Sequence, residues 1–159
     1  MRLCKIAVVA CSFLYLLAVV YNNLSDYNSN YQFVRHVLGM DTTLPGNAGM
    51  WRAIQAPWMH RAFYAAIILW ESASAALIGI GACRLWAARR APAAEWQGAK
   101  TLAAAGLTVG MALWYLAFIT VGGEWFLMWQ SKVWNGLESA FREFTVMGIS
   151  LVFLSLRDD

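Results

Sequence analysis

Charged residues are scarce in this sequence, and their scarcity identifies the class of protein before any motif is considered. Asp, Glu, Lys and Arg make up 13% of the 159 residues, whereas hydrophobic residues make up 60%. A soluble domain has about 25% charged and 45–50% apolar residues, so a soluble fold of this composition would expose large apolar patches. The sequence is therefore that of an integral membrane protein, and its length indicates one domain.

The motifs of common enzymes and metal sites are also missing. The sequence contains no Walker loop, no Gly-x-Ser-x-Gly and no His-Glu-x-x-His. Its three cysteines form no Cys-x-x-Cys pair, and we expect each to be a small buried residue. Haem ligation would use the only two histidines, His36 and His60, but both fall near the membrane surface. We predict no catalytic residue, metal site or cofactor, with haem as the alternative, and an enzymatic activity is not expected.

Four segments are apolar over the roughly 20 residues that a membrane-spanning helix requires. The predicted spans are residues 3–24, 58–85, 99–121 and 136–157, joined on one side by outer loops 25–57 and 122–135. Residues 1–159 are thus predicted to form a single all-α membrane domain, a four-transmembrane-helix bundle with a partly helical outer-face cap. Basic residues are densest between the second and third spans, which predicts that this connection and both termini are cytoplasmic.

The first outer loop is predicted to contain a helix of its own. Within residues 31–38, Phe33, Val34, Val37 and Leu38 fall on one helical stripe, and Gly39 is suited to ending the helix. Arginine and aromatic residues, which are enriched in binding surfaces, are concentrated in the two outer loops. They could instead anchor the protein at the lipid headgroups. The candidate outer-face interaction surface consists of Arg35, His36, Trp51, Arg52, Trp58, Trp125, Trp129 and Trp134.

Glu71 is the candidate intramembrane polar site, because counting places it near the middle of the second span. An ionised carboxylate is costly there, so it should face the bundle and find partners. It could carry a proton or bind a ligand, or it could be a polar clamp between helices worth roughly 0.6–2 kcal/mol. Its expected neighbours at the same depth are Ser12, Tyr15, Thr108, Trp114 and Tyr115.

Small residues repeat at helical spacing in two of the predicted spans. Gly106 and Gly110 form a Gly-x-x-x-Gly motif in the third span, and Ala75, Gly79 and Cys83 repeat every four residues in the second. Small residues allow helix backbones to approach closely in a membrane. The pattern predicts close packing within the chain or against another subunit.

Several segments of the sequence together resemble one bacterial family, the predicted small integral membrane proteins that carry domain of unknown function 2165. The resemblance extends over nearly the whole chain and implies a four-span bacterial membrane protein, but it implies no activity and no site residues. The residues that carry it are Asn22–Asn30, Met40–Thr43, Trp51–Ile54, Met128–Ser131 and Trp134–Gly136.

Size, missing catalytic motifs and small-residue helix faces together favour an accessory or scaffold subunit of a larger complex in the bacterial inner membrane. The alternatives are an oligomeric proton-coupled transport protein that uses Glu71, and a redox or quinone-linked subunit. The expected partners are membrane lipid and either another membrane protein or a second copy of the chain. The net charge of +3, carried by scattered basic residues, gives no indication of nucleic-acid binding.

Overall fold

The computed structural model describes residues 1–158, which are helical along most of their length and contain no strand. The all-α prediction is confirmed. Three short 3₁₀ helices, Ala48–Arg52, Ala88–Arg90 and Met128–Gln130, lie in the connections. The α-helices are α1 Arg2–Ser25, α2 Tyr27–Gly39, α3 Pro57–Ala87, α4 Ala93–Ala99, α5 Thr101–Ala112 and α6 Leu137–Ser155, and α5 continues directly into a π-helix, Leu113–Trp125.

Three helical stretches are long and apolar enough to cross a membrane, namely Arg2–Ser25, Pro57–Arg90 and Ala93–Trp125. The last helix, α6, packs against α1, α5 and the π-helix. Its first two turns carry Glu138, Arg142 and Glu143, so it does not reach the apolarity of the other three. The chain is therefore an integral membrane protein with three candidate spans, and a fourth span remains a prediction.

The central helix of the bundle is α3, which contacts α1, α2, α5 and the π-helix. Its buried residues recur every three or four positions, which is the spacing that places side chains on one face of a helix. Glu71 belongs to this buried face, so the fold directs its carboxylate inward, as the sequence indicated. The face consists of His60, Tyr64, Ile68, Glu71, Ser74, Ala75, Ile78, Gly81 and Leu85.

The small residues of α3 and α5 are used for packing inside the chain. A Cβ added to Gly81 would lie 2.4 Å from the backbone nitrogen of Ala103, and one added to Gly106 would lie 2.7 Å from that of Ile78. A Cβ at Gly110 would lie 2.5 Å from the sulfur of Met147 on α6. The Gly-x-x-x-Gly motif therefore brings α5 against α3 and α6, and this face is not free to bind a second subunit.

Replacing Gly81 with alanine should destabilise the protein by about 1–2 kcal/mol. The added methyl meets backbone, which cannot rotate away, and overpacking of this kind costs about 1–3 kcal/mol, reduced by the better helix propensity of alanine. Thermal unfolding in mild detergent measures the effect. Gly98→Ala is the matched control, because nothing lies within 4 Å of its added Cβ. Equal stability of the two variants would show that α3 and α5 are not this close.

A buried charge cluster joins both ends of the chain to the connection between α3 and α5. Asp158 accepts hydrogen bonds from Lys5 Nζ at 2.7 Å and from the indole of Trp96 at 2.8 Å, and it lies 3.1 Å from Lys100 Nζ. Both ammonium groups also donate to the carbonyl of Leu156, just beyond the end of α6. The termini and the 88–100 connection therefore lie at one end of the bundle, where burial alone would raise the pKa of Asp158 but these donors hold it well below its usual range.

Two expectations from the sequence are corrected by the structure, and a third is confirmed. The three cysteines, Cys4, Cys11 and Cys83, are exposed on the bundle surface and not buried, since a thiol is apolar enough for a lipid-facing position. The third span continues as a π-helix through Trp125, four residues beyond the predicted end at residue 121. The helix predicted within residues 31–38 is confirmed as part of α2, which buries Val34, Val37 and Leu38 and ends at Gly39.

Candidate functional site

Glu71 is fully buried, and its hydrogen-bond partner comes from the end of α1. Asn23 Nδ2 donates to Glu71 Oε2 at 2.6 Å, and the Tyr64 hydroxyl donates to the backbone carbonyl of Asn23 at 2.9 Å. That carbonyl lies in the last turn of α1, where carbonyls lack partners within the helix. The three residues thus form a chain of hydrogen bonds between α1 and α3 that satisfies Oε2 of Glu71.

A polar cavity of about 560 Å³ lies beside this chain of hydrogen bonds, between α1, α2, α3, α6 and the π-helix. Two carboxylates and four side-chain amides are among the residues that line it. We call it the polar cavity. Its polar and aromatic lining comprises Tyr15, Asn22, Asn23, Ser29, Asn30, Phe33, Tyr64, Glu71, Trp114, Phe118, Trp134, Asn135, Ser139, Arg142 and Glu143.

Trp114 lines the polar cavity and carries a buried hydrogen-bond donor that the described part of the chain does not use. Its side chain is 92% buried, as only 8% of its surface is exposed, and its Nε1 has no partner in the described part of the chain. An indole N–H that is buried normally finds an acceptor. The ring also packs on Phe118, with centroids 4.6 Å apart, which fixes its orientation.

The charges of the polar cavity do not balance. Glu143 is paired with Arg142, whose Nε lies 3.5 Å from Glu143 Oε1. Glu71 makes no ion pair with any residue that the structure describes. Two carboxylates against one guanidinium give a formal charge of −1 when all three are ionised, and Glu71 is the carboxylate left without a counter-charge.

An apolar cavity of about 270 Å³ adjoins the polar one, on the side of α3 and the π-helix. The two cavities share the side chains of Phe33, Val34, Ile67 and Phe118 as a common wall. The remaining apolar lining includes Phe63, Trp70, Leu113, Leu116 and Val121. The protein therefore places a large polar space next to a smaller hydrophobic one, separated by side chains of α2, α3 and the π-helix.

The π-helix Leu113–Trp125 supplies residues to both cavities, Trp114 to the polar one and Leu116 to the apolar one. The hydroxyl of Thr120 bonds to the carbonyl of Tyr115, five residues earlier, as the wider helix requires. Helices of this kind are rare and occur frequently at functional sites. The wider turn is the local feature of this span that a regular helical pattern does not predict.

The predicted outer-face residues fall into two separate groups. Arg52 lies between Trp51 and Trp125, at 5.6 and 5.2 Å from the two ring centroids, and donates to the carbonyl of Trp125 at 3.0 Å. His36 stacks on Trp134 at 4.7 Å. Arg35 is held by Gln32, whereas Trp58 and Trp129 are exposed and belong to neither group.

The connection 26–56 and the segment 126–136 contact each other through polar side chains at the end of the bundle opposite the charge cluster. Thr42 bonds to Ser131 at 2.8 Å, and Gln130 accepts from the backbone of Leu44 at 3.1 Å and from Asn47 at 3.3 Å. These contacts join the ends of α2 and the π-helix. Trp134 and Asn135, from the second of these segments, line the polar cavity.

The histidines have partners within the protein. His36 Nδ1 lies 2.7 Å from Asp41 Oδ2, and His60 Nε2 lies 2.8 Å from the carbonyl of Ile54. No group of three or more His, Cys, Asp or Glu side chains suited to a metal ion occurs in residues 1–158.

Sequence reasoning identified Glu71 but missed Asn23, its actual partner. The expected neighbours were chosen by depth, counted from the ends of predicted spans. However, α3 is 31 residues long and extends well past the end of α1. Residues at the same count from the ends of two helices therefore do not lie at the same depth. Of the expected neighbours, Tyr15 and Trp114 do line the polar cavity with Glu71, and the Asn22-Asn23 pair at the end of a span was the available signal.

Comparison with known families identifies the chain. Residues 1–157 match the family described as predicted small integral membrane protein, domain of unknown function 2165 (DUF2165), and the chain belongs to that family. The resemblance inferred from the sequence is thereby confirmed. No curated protein and no solved structure matches the chain. Two of the segments that carry the resemblance line the polar cavity, through Asn22, Asn23, Ser29, Asn30, Trp134, Asn135 and Gly136.

Proposed function

We propose that this member of the family binds a small molecule inside the bacterial inner membrane, in the polar cavity beside Glu71. The observation that carries the proposal is a buried carboxylate without a counter-charge that faces a cavity of about 560 Å³. Sites for small molecules typically occupy about 300–1,000 Å³ and combine apolar walls with a few placed polar groups. An ionisable residue within a span indicates a functional site by default.

A purely structural clamp accounts for less of the arrangement than a binding site does. Asn23 alone satisfies one oxygen of Glu71, and a clamp needs neither a cavity nor a further donor. The unpartnered indole of Trp114, on the opposite helix, supplies a donor for an acceptor atom that the protein does not provide. Glu71 and Trp114 together supply an anionic acceptor and a donor in one space, which is what recognition of a polar molecule requires.

We further propose that the molecule enters this cavity from the outer face of the membrane. We propose that α6 is the fourth span, with exposed Val146, Ile149 and Val152 facing lipid, and that both termini are cytoplasmic. The support is Arg84, Arg89, Arg90 and Lys100 near the same end as the termini. A fluorescent reporter at the C-terminus should therefore be bright, and a phosphatase inserted after Asn47 should be active. An inactive insertion combined with a dark C-terminal fusion would reverse the orientation.

Native mass spectrometry of protein extracted in mild detergent tests the proposed binding. We expect the wild type to retain a non-covalent low-mass species, and Glu71→Gln and Trp114→Phe to lose it. Glu95→Gln is the matched control, because it removes an exposed carboxylate outside the cavity. A wild type without such a species, or one that Glu71→Gln retains in full, would contradict the proposal.

A second candidate function is that of an accessory subunit, which the exposed aromatic group at the cavity end of the bundle favours. Trp51 is 75% exposed and meets Trp125 edge-to-face at 5.8 Å, with Arg52 against both rings. Tryptophan and arginine are the residue types most enriched where partners bind tightly. In this proposal the group contacts a larger membrane protein.

Trp51→Ala should then weaken the affinity for a stoichiometric partner roughly thirtyfold, the effect of losing about 2 kcal/mol, and so reduce the recovery of that partner. Trp86→Ala is the control, since Trp86 is also exposed and also lies against an arginine, Arg89, but at the other end of the bundle. Co-purification followed by quantitative mass spectrometry measures both. Equal recovery of the partner in the two variants would show that Trp51 does not bind it and that these tryptophans only anchor the protein in the lipid.

A further inference from the structure

We propose that the small molecule bound beside Glu71 is a lipophilic organic cation, an inference that rests on the proposed binding function and names the chemical class of its ligand. The polar cavity, the adjoining apolar cavity and the aromatic rings between them each specify one part of such a molecule. Charge specifies the sign of its head group, the rings specify how that head is held, and the apolar cavity specifies its hydrophobic part.

The sign of charge follows from the groups that line the polar cavity. Glu71 is the one carboxylate there that has no cationic partner among the described residues, since Arg142 lies against Glu143 at 3.5 Å. A bound anion would bring a second negative charge next to the Glu71 carboxylate in a region of low dielectric, where like charges repel strongly. A bound cation neutralises Glu71 and reduces the cost of burying the carboxylate.

Four aromatic rings line the same cavity as the Glu71 carboxylate. Trp114 packs on Phe118 at 4.6 Å, Phe118 stacks on Phe33 at 6.3 Å, and Phe33 meets Trp134 at 6.4 Å, so four rings line one side of the polar cavity in succession. The face of an aromatic ring attracts a cation, and the attraction grows when both are desolvated. An inorganic ion would leave these faces unused, whereas an organic cation with apolar substituents contacts them directly.

The hydrophobic part of the molecule has a place next to its head group. Phe33, Val34, Ile67 and Phe118 line both cavities, so a substituent that crosses this shared wall moves from the polar space into the apolar one of about 270 Å³. Beyond them the lining is hydrophobic, with Leu116 and Trp70 among its residues. A cationic head on Glu71 and a hydrophobic substituent against Leu116 together use both spaces.

Tetraphenylphosphonium and tetraphenylborate test this inference, because they have nearly the same shape and opposite charge. Equilibrium dialysis of the full chain in mild detergent should show saturable binding of the phosphonium, one per chain, and no saturable binding of the borate. Glu71→Gln should weaken phosphonium binding at least about tenfold, as loss of a charged partner does. Glu95→Gln, outside both cavities, should bind as the wild type does.

Glu71→Asp distinguishes the loss of charge from a loss of folding in Glu71→Gln. It keeps the charge in a shorter side chain and should bind the phosphonium more tightly than Glu71→Gln. The inference is overturned if the wild type shows no saturable phosphonium binding, if the borate binds equally well, or if Glu71→Gln binds as the wild type does. Retention of a native low-mass species by the wild type would then still support the proposed binding function with a ligand of another class. If every variant, including Glu71→Gln, retained that species, the binding function itself would be rejected.

Discussion

Asp158→Asn is expected to destabilise the protein by about 3–5 kcal/mol, the largest effect of any single substitution considered. Lys5 and Lys100 are both buried and both contact Asp158, so removing its charge leaves two ammonium groups without a counter-ion. Breaking a buried ion pair by removing one partner costs about this much. The neutral amide keeps the size of the side chain, so the loss measures the charge and not the packing.

Urea or thermal unfolding in mild detergent measures this loss, and Asp26→Asn is the control, because Asp26 forms no ion pair in the described residues. Adding Lys5→Met to Asp158→Asn should restore part of the stability by removing one of the two unpaired charges. If Asp158→Asn unfolds as the wild type does, the C-terminal residues are not held in the charge cluster.

Asp158 should also give the protein an acid-sensitive contribution to stability. Its pKa in the folded protein lies below the value of about 3.9 for an unperturbed aspartate, so folding favours its ionised form. The resulting stabilisation is complete above the unfolded pKa and is lost as the pH falls towards the folded one. The stability difference between wild type and Asp158→Asn should therefore be constant between about pH 5 and about pH 7 and shrink at lower pH.

Asn23→Leu should cost up to about 3 kcal/mol, because it leaves the buried carboxylate of Glu71 without its hydrogen-bond donor. Removing one partner costs the full desolvation of the other, whereas replacing both partners with apolar groups can be nearly neutral. The double variant Asn23→Leu, Glu71→Leu should thus regain most of the stability. It should not regain binding of the low-mass species, since Glu71 is absent.

The control for these two variants is Asn28→Leu. It removes an asparagine that bonds to Gln32 at the surface, and it should change stability little. Thermal unfolding in mild detergent measures all four proteins. A double variant no more stable than Asn23→Leu would mean that Glu71 has stabilising contacts other than Asn23, as a structural clamp would.

Hydropathy and helical spacing predicted the features of this protein that depend on the chain alone. They identified the apolar helices, the amphipathic α2 and the inward direction of Glu71, because each follows from the order of apolar and polar residues along one helix. The resemblance to the family was likewise available from the sequence, and it is confirmed over residues 1–157.

Relations between helices could not be predicted in the same way. The pairing of Glu71 with Asn23 depends on how far α3 extends past α1, and the polar cavity is lined by residues from α1, α2, α3, α6 and the π-helix. The association of Lys5, Lys100 and Asp158 joins residues more than 50 positions apart that carry no motif. Such contacts are fixed by packing angles and helix offsets, which a single sequence does not specify.

Cysteine labelling at Tyr15 tests most directly whether a water-accessible cavity reaches Glu71 within the membrane. Tyr15, Leu14 and Leu17 are all exposed near the middle of α1, but only Tyr15 lines the polar cavity, and neither leucine lines the polar or the apolar cavity. In a protein whose three native cysteines are replaced by alanine, we expect a cationic methanethiosulfonate reagent to label Tyr15→Cys and to spare Leu14→Cys and Leu17→Cys. Labelling of Tyr15→Cys no faster than that of the two leucine positions would contradict a binding site beside Glu71.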